Sequence, residues 1–140
     1  MANETDLEAR LARLAPPYRS KGEAQVGRML DRYNIPFFYE QPTLVYDRGR
    51  YRVWHPDFKL PEQNALVVEY AGMMDVPDYA AGIRHKREAF RKNGIAAMFL
   101  YPADLTGPDW EERVYQRIMQ APESHPWRGV YYGAPAGYRG

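Results

Sequence analysis

The sequence predicts an α/β fold in which a central mixed β-sheet of four or more strands is flanked by α-helices. Two observations carry that expectation. Short apolar runs of strand length (PFFYEQ, TLVYD, LVVEY, IAAMFLYP) alternate with longer stretches whose apolar residues recur at spacings of three and four. The last two of these runs are separated by a helical stretch, the arrangement of a strand–helix–strand crossover.

The elements follow in order. Residues 4–14 carry Leu7, Leu11 and Leu14 at helical spacing, and Pro16-Pro17 stop the run. A second helix opens at SKGEAQVGRMLDRY, with Val26, Met29, Leu30 and Tyr33 as its apolar stripe and Asn34 and Pro36 ending it. PFFYEQ is a short aromatic strand. TLVYD and RYRVWHPDFKLP flank Asp47-Arg48-Gly49, a hairpin turn signal, and Pro56 interrupts the second arm, which suggests a bulge or edge position before Asp57. NALVVEYAG is the next strand. DYAAGIRHKREAFRKNG is a helix closed by Gly94, IAAMFLYP a further strand, and a last helix starts near Pro108. Together these give a mixed sheet that includes the hairpin and whose final strand arrives by a helical crossover.

At 140 residues the chain reads as a single domain, with an accessory N-terminal helix (1–18) and an aromatic, Gly- and Pro-rich tail (122–140). Nineteen basic residues nearly balance 18 acidic ones, so any nucleic-acid surface must be local. Without cysteine there are no disulfides and no thiolate metal sites, and His55, His85 and His125 show no zinc spacing. No apolar run approaches ~20 residues and no signal peptide opens the chain, so the expectation is a soluble, cytoplasmic protein without a membrane partner.

Three carboxylates stand out. Glu69 ends the apolar strand LVVEY, where a charge needs a partner. Asp57 follows Pro56, as a turn residue or as a ligand swung toward the end of the sheet; simple antiparallel pairing of the arms need not make it a neighbour of Glu69. If the two meet, they repel unless a cation lies between them, and all-oxygen donors favour Mg²⁺ or Mn²⁺. Glu23 fits a capping box with Ser20, reaching back to its backbone N–H, as well as an acidic site residue.

The order SKGEAQVGRML, IPFFYE, HPDFKLP, LVVEYAG and then a lysine-bearing helix resembles the PD-(D/E)XK, or restriction-endonuclease-like, nuclease superfamily, over roughly residues 20–105. The resemblance implies a restriction-endonuclease-like core. It makes Asp57 the central metal ligand and Glu69 the acid of the second motif. The Tyr70 carbonyl becomes a backbone ligand, and Glu23 a helix-borne acid acting directly or through water.

One position departs from the pattern. Alternate residues of a strand share a face, so the motif lysine belongs two places after Glu69, where this chain has Ala71. Tyr79, Ile83, Lys86 and Phe90 define one helical face with Lys86 in its middle, either snorkelling to the core edge or aimed at an anion. A lysine relocated to the neighbouring helix, as the family is known to do, makes Lys86 the functional one; Arg84 and His85 fall on other faces, exposed or touching phosphate. The implied activity is Mg²⁺- or Mn²⁺-dependent hydrolysis of DNA phosphodiesters, with repair, junction resolution and phage DNA processing among the settings it allows. Lys21, Arg48, Arg50 and Arg52 would be backbone contacts or ordinary solvated charges, and Trp127–Tyr138 a tail that stacks on bases, contacts a second subunit, covers the sheet or stays mobile. Junction resolution would require a homodimer. RNA as substrate uses the same site. The alternative is an inactive DNA-binding or assembly module that keeps the fold.

Overall fold

The computed structural model describes residues 15–121. The helix expected over residues 4–14 and the tail 122–140 lie outside them. Helix α1 (Lys21–Arg32) leads to β1 (Phe38–Tyr39), β2 (Thr43–Asp47), β3 (Arg50–Trp54), β4 (Phe58–Leu60) and β5 (Leu66–Tyr70). Helix α2 (Pro77–Lys92), β6 (Ala97–Leu100), a 3₁₀ turn (Pro102–Leu105) and α3 (Trp110–Met119) complete the order. The architecture is α/β: a four-stranded mixed sheet ordered β1-β4-β5-β6, with helices on both faces. Strands β1, β4 and β5 pair antiparallel, and β6 joins β5 in parallel after the α2 crossover.

Alternation along β5 divides the core. Leu66 and Val68 pack with Phe58, Leu60 and Leu100 beneath Val26, Met29 and Leu30 of α1 and Val114 and Ile118 of α3. Val67 and Ala71 face the other way, toward Ile83 and Phe90 of α2. Burying each of the larger aliphatic side chains contributes about 1.5–3 kcal/mol, so both faces of the strand are pinned.

The hairpin departs from expectation. Strands β2 and β3 pair only with each other, from Thr43↔Trp54 to Asp47↔Arg50, and form a separate two-stranded sheet. The turn is as the sequence signals: Arg48 and Gly49 both have positive φ (51° and 83°), the geometry of a two-residue turn matched to strand twist. The separation comes from Pro56. Strand β3 stops at Trp54, and Phe58 opens β4 in the other sheet, so Pro56 marks a change of sheet rather than a bulge. The ribbon is tied to α2 instead. The Asn93 side chain accepts from the Tyr46 N–H and donates to the Tyr46 carbonyl, both at 2.9 Å, substituting for a neighbouring strand. His85, expected on an exposed face, is half-buried; its Nε2 lies 2.9 Å from Asp47 Oδ1, and its ring meets Trp54 edge-on. The His85 hydrogen bond, opposed by burial, keeps the Asp47 carboxyl below its ordinary range.

Candidate active site

Three elements converge at the C-terminal end of β5. The β4–β5 register pairs Phe58 with Val68, so one step further Asp57 stands opposite Glu69. The antiparallel pairing therefore makes them neighbours directly, and no swing of Asp57 is needed. Their contacts interlock: the Asp57 N–H donates to Glu69 Oε1 at 2.8 Å, and the Tyr70 N–H donates to Asp57 Oδ2 at 2.7 Å. Each carboxylate thereby caps a backbone group that the end of the ladder leaves unpaired. Glu69 shares the face of Val67 and Ala71, and it is only 2% exposed.

Across that face stands α2. The stripe Tyr79, Ile83, Lys86, Phe90 lies against the sheet as its spacing predicts, with Ile83 and Phe90 in the core. Lys86 reaches the carboxylate: Nζ donates to Glu69 Oε2 at 2.9 Å. Between the snorkelling and anion-facing readings, the structure has the lysine facing an anion. Ala71 is fully buried in the cluster that α2 covers, so a long side chain at that position would collide with packed core. The adjacent Gly72 N–H donates to the Tyr79 hydroxyl at 3.0 Å, which fixes the start of α2 against the strand exit.

Electrostatics follow from this placement. Burial, then the charge of Glu69, push the Asp57 carboxyl up to about 7; Glu23 adds to the rise, while the Tyr70 N–H and Lys86 oppose it. Burial alone would lower Lys86, but the charge of Glu69 and its hydrogen bond outweigh that and hold the ammonium above the usual lysine value. The group is thus a pair of carboxyls with one fixed cation, short of positive charge.

Glu23 approaches from α1 but makes no hydrogen bond to Asp57 or Glu69 among the described residues. Ser20 caps the helix, accepting from the Glu23 N–H at 3.1 Å. The carboxylate does not return to the Ser20 backbone as a capping box requires. It accepts from the Ser20 hydroxyl at 3.3 Å and from the Tyr39 hydroxyl at 2.6 Å. Burial and this bond push the Tyr39 hydroxyl far above its ordinary value, so it stays a donor. Tyr39 is the contact that sequence reasoning missed; its place in an aromatic strand gave no hint of a carboxylate partner. Tyr70 completes the wall between α1 and the sheet. Its ring lies where a side chain on Gly22 would be, 2.2 Å from an added Cβ, so only glycine lets α1 approach this closely.

Among the described residues no three His, Asp or Glu side chains form a group that could by itself hold a metal ion. A Mg²⁺ site needs less: one or two carboxylates, with water and substrate phosphate as the remaining ligands. Asp57 and Glu69 supply two, all their donors are oxygen, and their surplus charge is of the sign a cation relieves. On donor chemistry and charge, the residues fit a hard divalent ion.

Of the four basic residues expected to touch DNA, Lys21, Arg48 and Arg50 are exposed, whereas Arg52 is partly engaged, 3.6 Å from Asp47. No helix among the described residues is long and apolar enough to cross a membrane. No family model matches the sequence, and no curated protein or solved structure shows significant similarity to it.

Proposed function

We propose that the protein is a divalent-metal-dependent endonuclease hydrolysing DNA phosphodiester bonds, built on a restriction-endonuclease-like core. The observation that carries the reading is the Lys86–Glu69 contact beside Asp57: two acids and a lysine meet at a strand end although the lysine comes from a different element. Asp57 and Glu69 would hold Mg²⁺ or Mn²⁺, with the Tyr70 carbonyl as a backbone ligand and Glu23 acting through water. When bound, the ion supplies Lewis acidity toward the scissile phosphate and acidifies a coordinated water.

The protein's own groups account for the rest. Lys86, oriented by Glu69, positions the attacking water and balances charge that develops on the phosphoryl oxygens. The Tyr70 N–H fixes the Asp57 carboxylate, and Tyr39 holds Glu23 at the edge of the site. Lys21, Arg48 and Arg50 contact the phosphate backbone without reading sequence. Cutting both strands of a junction would call for a homodimer, and the cytoplasm is where such an activity would meet DNA.

The test is cleavage of linear, nicked and branched DNA with Mg²⁺ or Mn²⁺, comparing wild type with Asp57→Ala and Glu69→Ala. Metal-dependent cutting that both substitutions abolish supports the reading, and cutting that survives them refutes it. DNA binding with neither cutting nor calorimetric heat on adding Ca²⁺ would favour an inactive binding module.

A further inference from the structure

The hairpin carries an aromatic and aliphatic face that the proposed chemistry does not use. Because β2 and β3 form a two-stranded sheet, only one face of it is covered among the described residues, by α2. The outer face presents Leu44 and Val53, a cross-strand pair, at 60% and 58% exposure. The next pair, Tyr46 and Tyr51, is 47% and 50% exposed, with ring centroids 5.0 Å apart and planes at 72°. Four large apolar side chains on one ribbon face form a patch that solvent alone does not favour.

Charge identifies the occupant. Beyond the tyrosines the turn carries Arg48, exposed and held in no ion pair among the described residues, while Arg50, paired across the strands with Asp47, belongs to the inner face. The only carboxylate on the hairpin, Asp47, is buried on the inner face and matched by His85 and Arg52. A second copy laid on this face would bring two Arg48 side chains together with no outer-face carboxylate to meet them. A polyanion with flat apolar surfaces meets both features, since phosphates pair with arginine while exposed bases stack on aromatic rings. The ribbon is also continuous with the site: only His55 and Pro56 separate Trp54 from Asp57.

We propose that the outer face of the β2–β3 ribbon is a docking platform for unpaired DNA bases, with Tyr46 and Tyr51 as stacking rings and Arg48, in the turn beside them, as the phosphate contact. This rests on the nuclease reading and deepens it: the substrate has a single-stranded segment, such as a flap, branch or gap, adjoining the scissile phosphate.

The full chain is titrated, with Ca²⁺ in place of Mg²⁺, against fluorescein-labelled single-stranded, flapped and blunt duplex DNA, followed by anisotropy. Wild type binds the single-stranded and flapped probes more tightly than the blunt duplex. Tyr46→Ala and Tyr51→Ala each weaken those two by about tenfold, the size expected for one base lost from a stacking platform, and leave the blunt duplex little changed. Tyr46→Trp restores binding, which a merely structural role would not require, and an abasic tract in the flap removes the dependence on both tyrosines. Arg48→Ala weakens all probes alike and reduces the salt slope by about one. Equal losses on blunt duplex and flap, or none on either, overturn the platform. So does a dimer that dissociates when Leu44 or Val53 is replaced by Ser, or tighter tyrosine-dependent binding to RNA. Cleavage is not read in this assay, so an intact flap preference in a protein that never cuts would remove the nuclease reading and leave the platform standing.

Discussion

Replacing Asp57 with asparagine should make the metal-free protein more stable at neutral and alkaline pH. The Asp57 carboxyl is raised from an ordinary 3.8 to about 7, first by burial and then by Glu69. A carboxyl with a higher pKa folded than unfolded binds its proton more tightly in the native state. Its stabilising contribution is complete below the unfolded value and is lost as pH rises through about 7. A rise of about three pH units corresponds to at most ~4 kcal/mol at ~1.4 kcal/mol for each. Sharing of the effect with Glu69, and partial exposure of the site, bring the expected gain to about 1–3 kcal/mol. The Asp57→Asn side chain would mimic the protonated acid, since its amide oxygen can still accept from the Tyr70 N–H. Urea unfolding with a chelator present, at pH 8 and pH 5, reads the effect as a shift in midpoint. The variant should be the more stable protein at pH 8, with a clearly smaller gain at pH 5, where Asp57 is already mostly protonated. Equal or lower stability at pH 8, or the same gain at both pH values, would refute the proposed electrostatics and with them the charge surplus that a cation would relieve.

Other perturbations test the supports of the site. Gly22→Ala places a methyl group 2.2 Å from the Tyr70 ring, so Tyr70 must move; a loss of about 1–3 kcal/mol and altered Tyr70 NMR shifts are expected, and unchanged shifts would contradict the packing. Asn93→Ala removes both hydrogen bonds to Tyr46 and one to the Ala89 carbonyl, so amides of residues 43–54 should exchange faster while those of β5 stay protected. Ala71→Lys, which puts a lysine where the PD-(D/E)XK pattern has one, should destabilise the protein rather than activate it, because that position is fully buried under α2; thermal unfolding measures the loss. Tyr39→Phe leaves Glu23 without its 2.6 Å donor, and if Glu23 assists the metal, Mn²⁺ affinity should change while the fold's circular dichroism does not.

Much of this arrangement is legible in the sequence because it is local. The positive-φ turn at Arg48-Gly49, the Ser20 cap and the Lys86 stripe all follow from residue type and short spacings. What stays hidden is set at a distance. The direct opposition of Asp57 and Glu69 depends on the β4–β5 register, which is closed by a turn in which Asn64 and Ala65 both have positive φ, an uncommon conformation for alanine. Where the hairpin sits once Pro56 has split it from the main sheet is set by Asn93 and His85, dozens of residues downstream, which hold it to α2. Tyr39 meets Glu23 only once β1 has paired with β4. Each of these depends on tertiary placement, to which periodicity is blind.

The central claim is that Lys86, from α2, supplies the lysine that the strand position of Ala71 lacks. Single-turnover cleavage by wild type and Lys86→Ala, with Ca²⁺ affinity measured on both, tests it most directly. The expected result is a loss of about 100-fold or more in rate, the scale of removing one transition-state donor, with metal binding retained. A Lys86→Ala protein that cuts at the wild-type rate would contradict the claim.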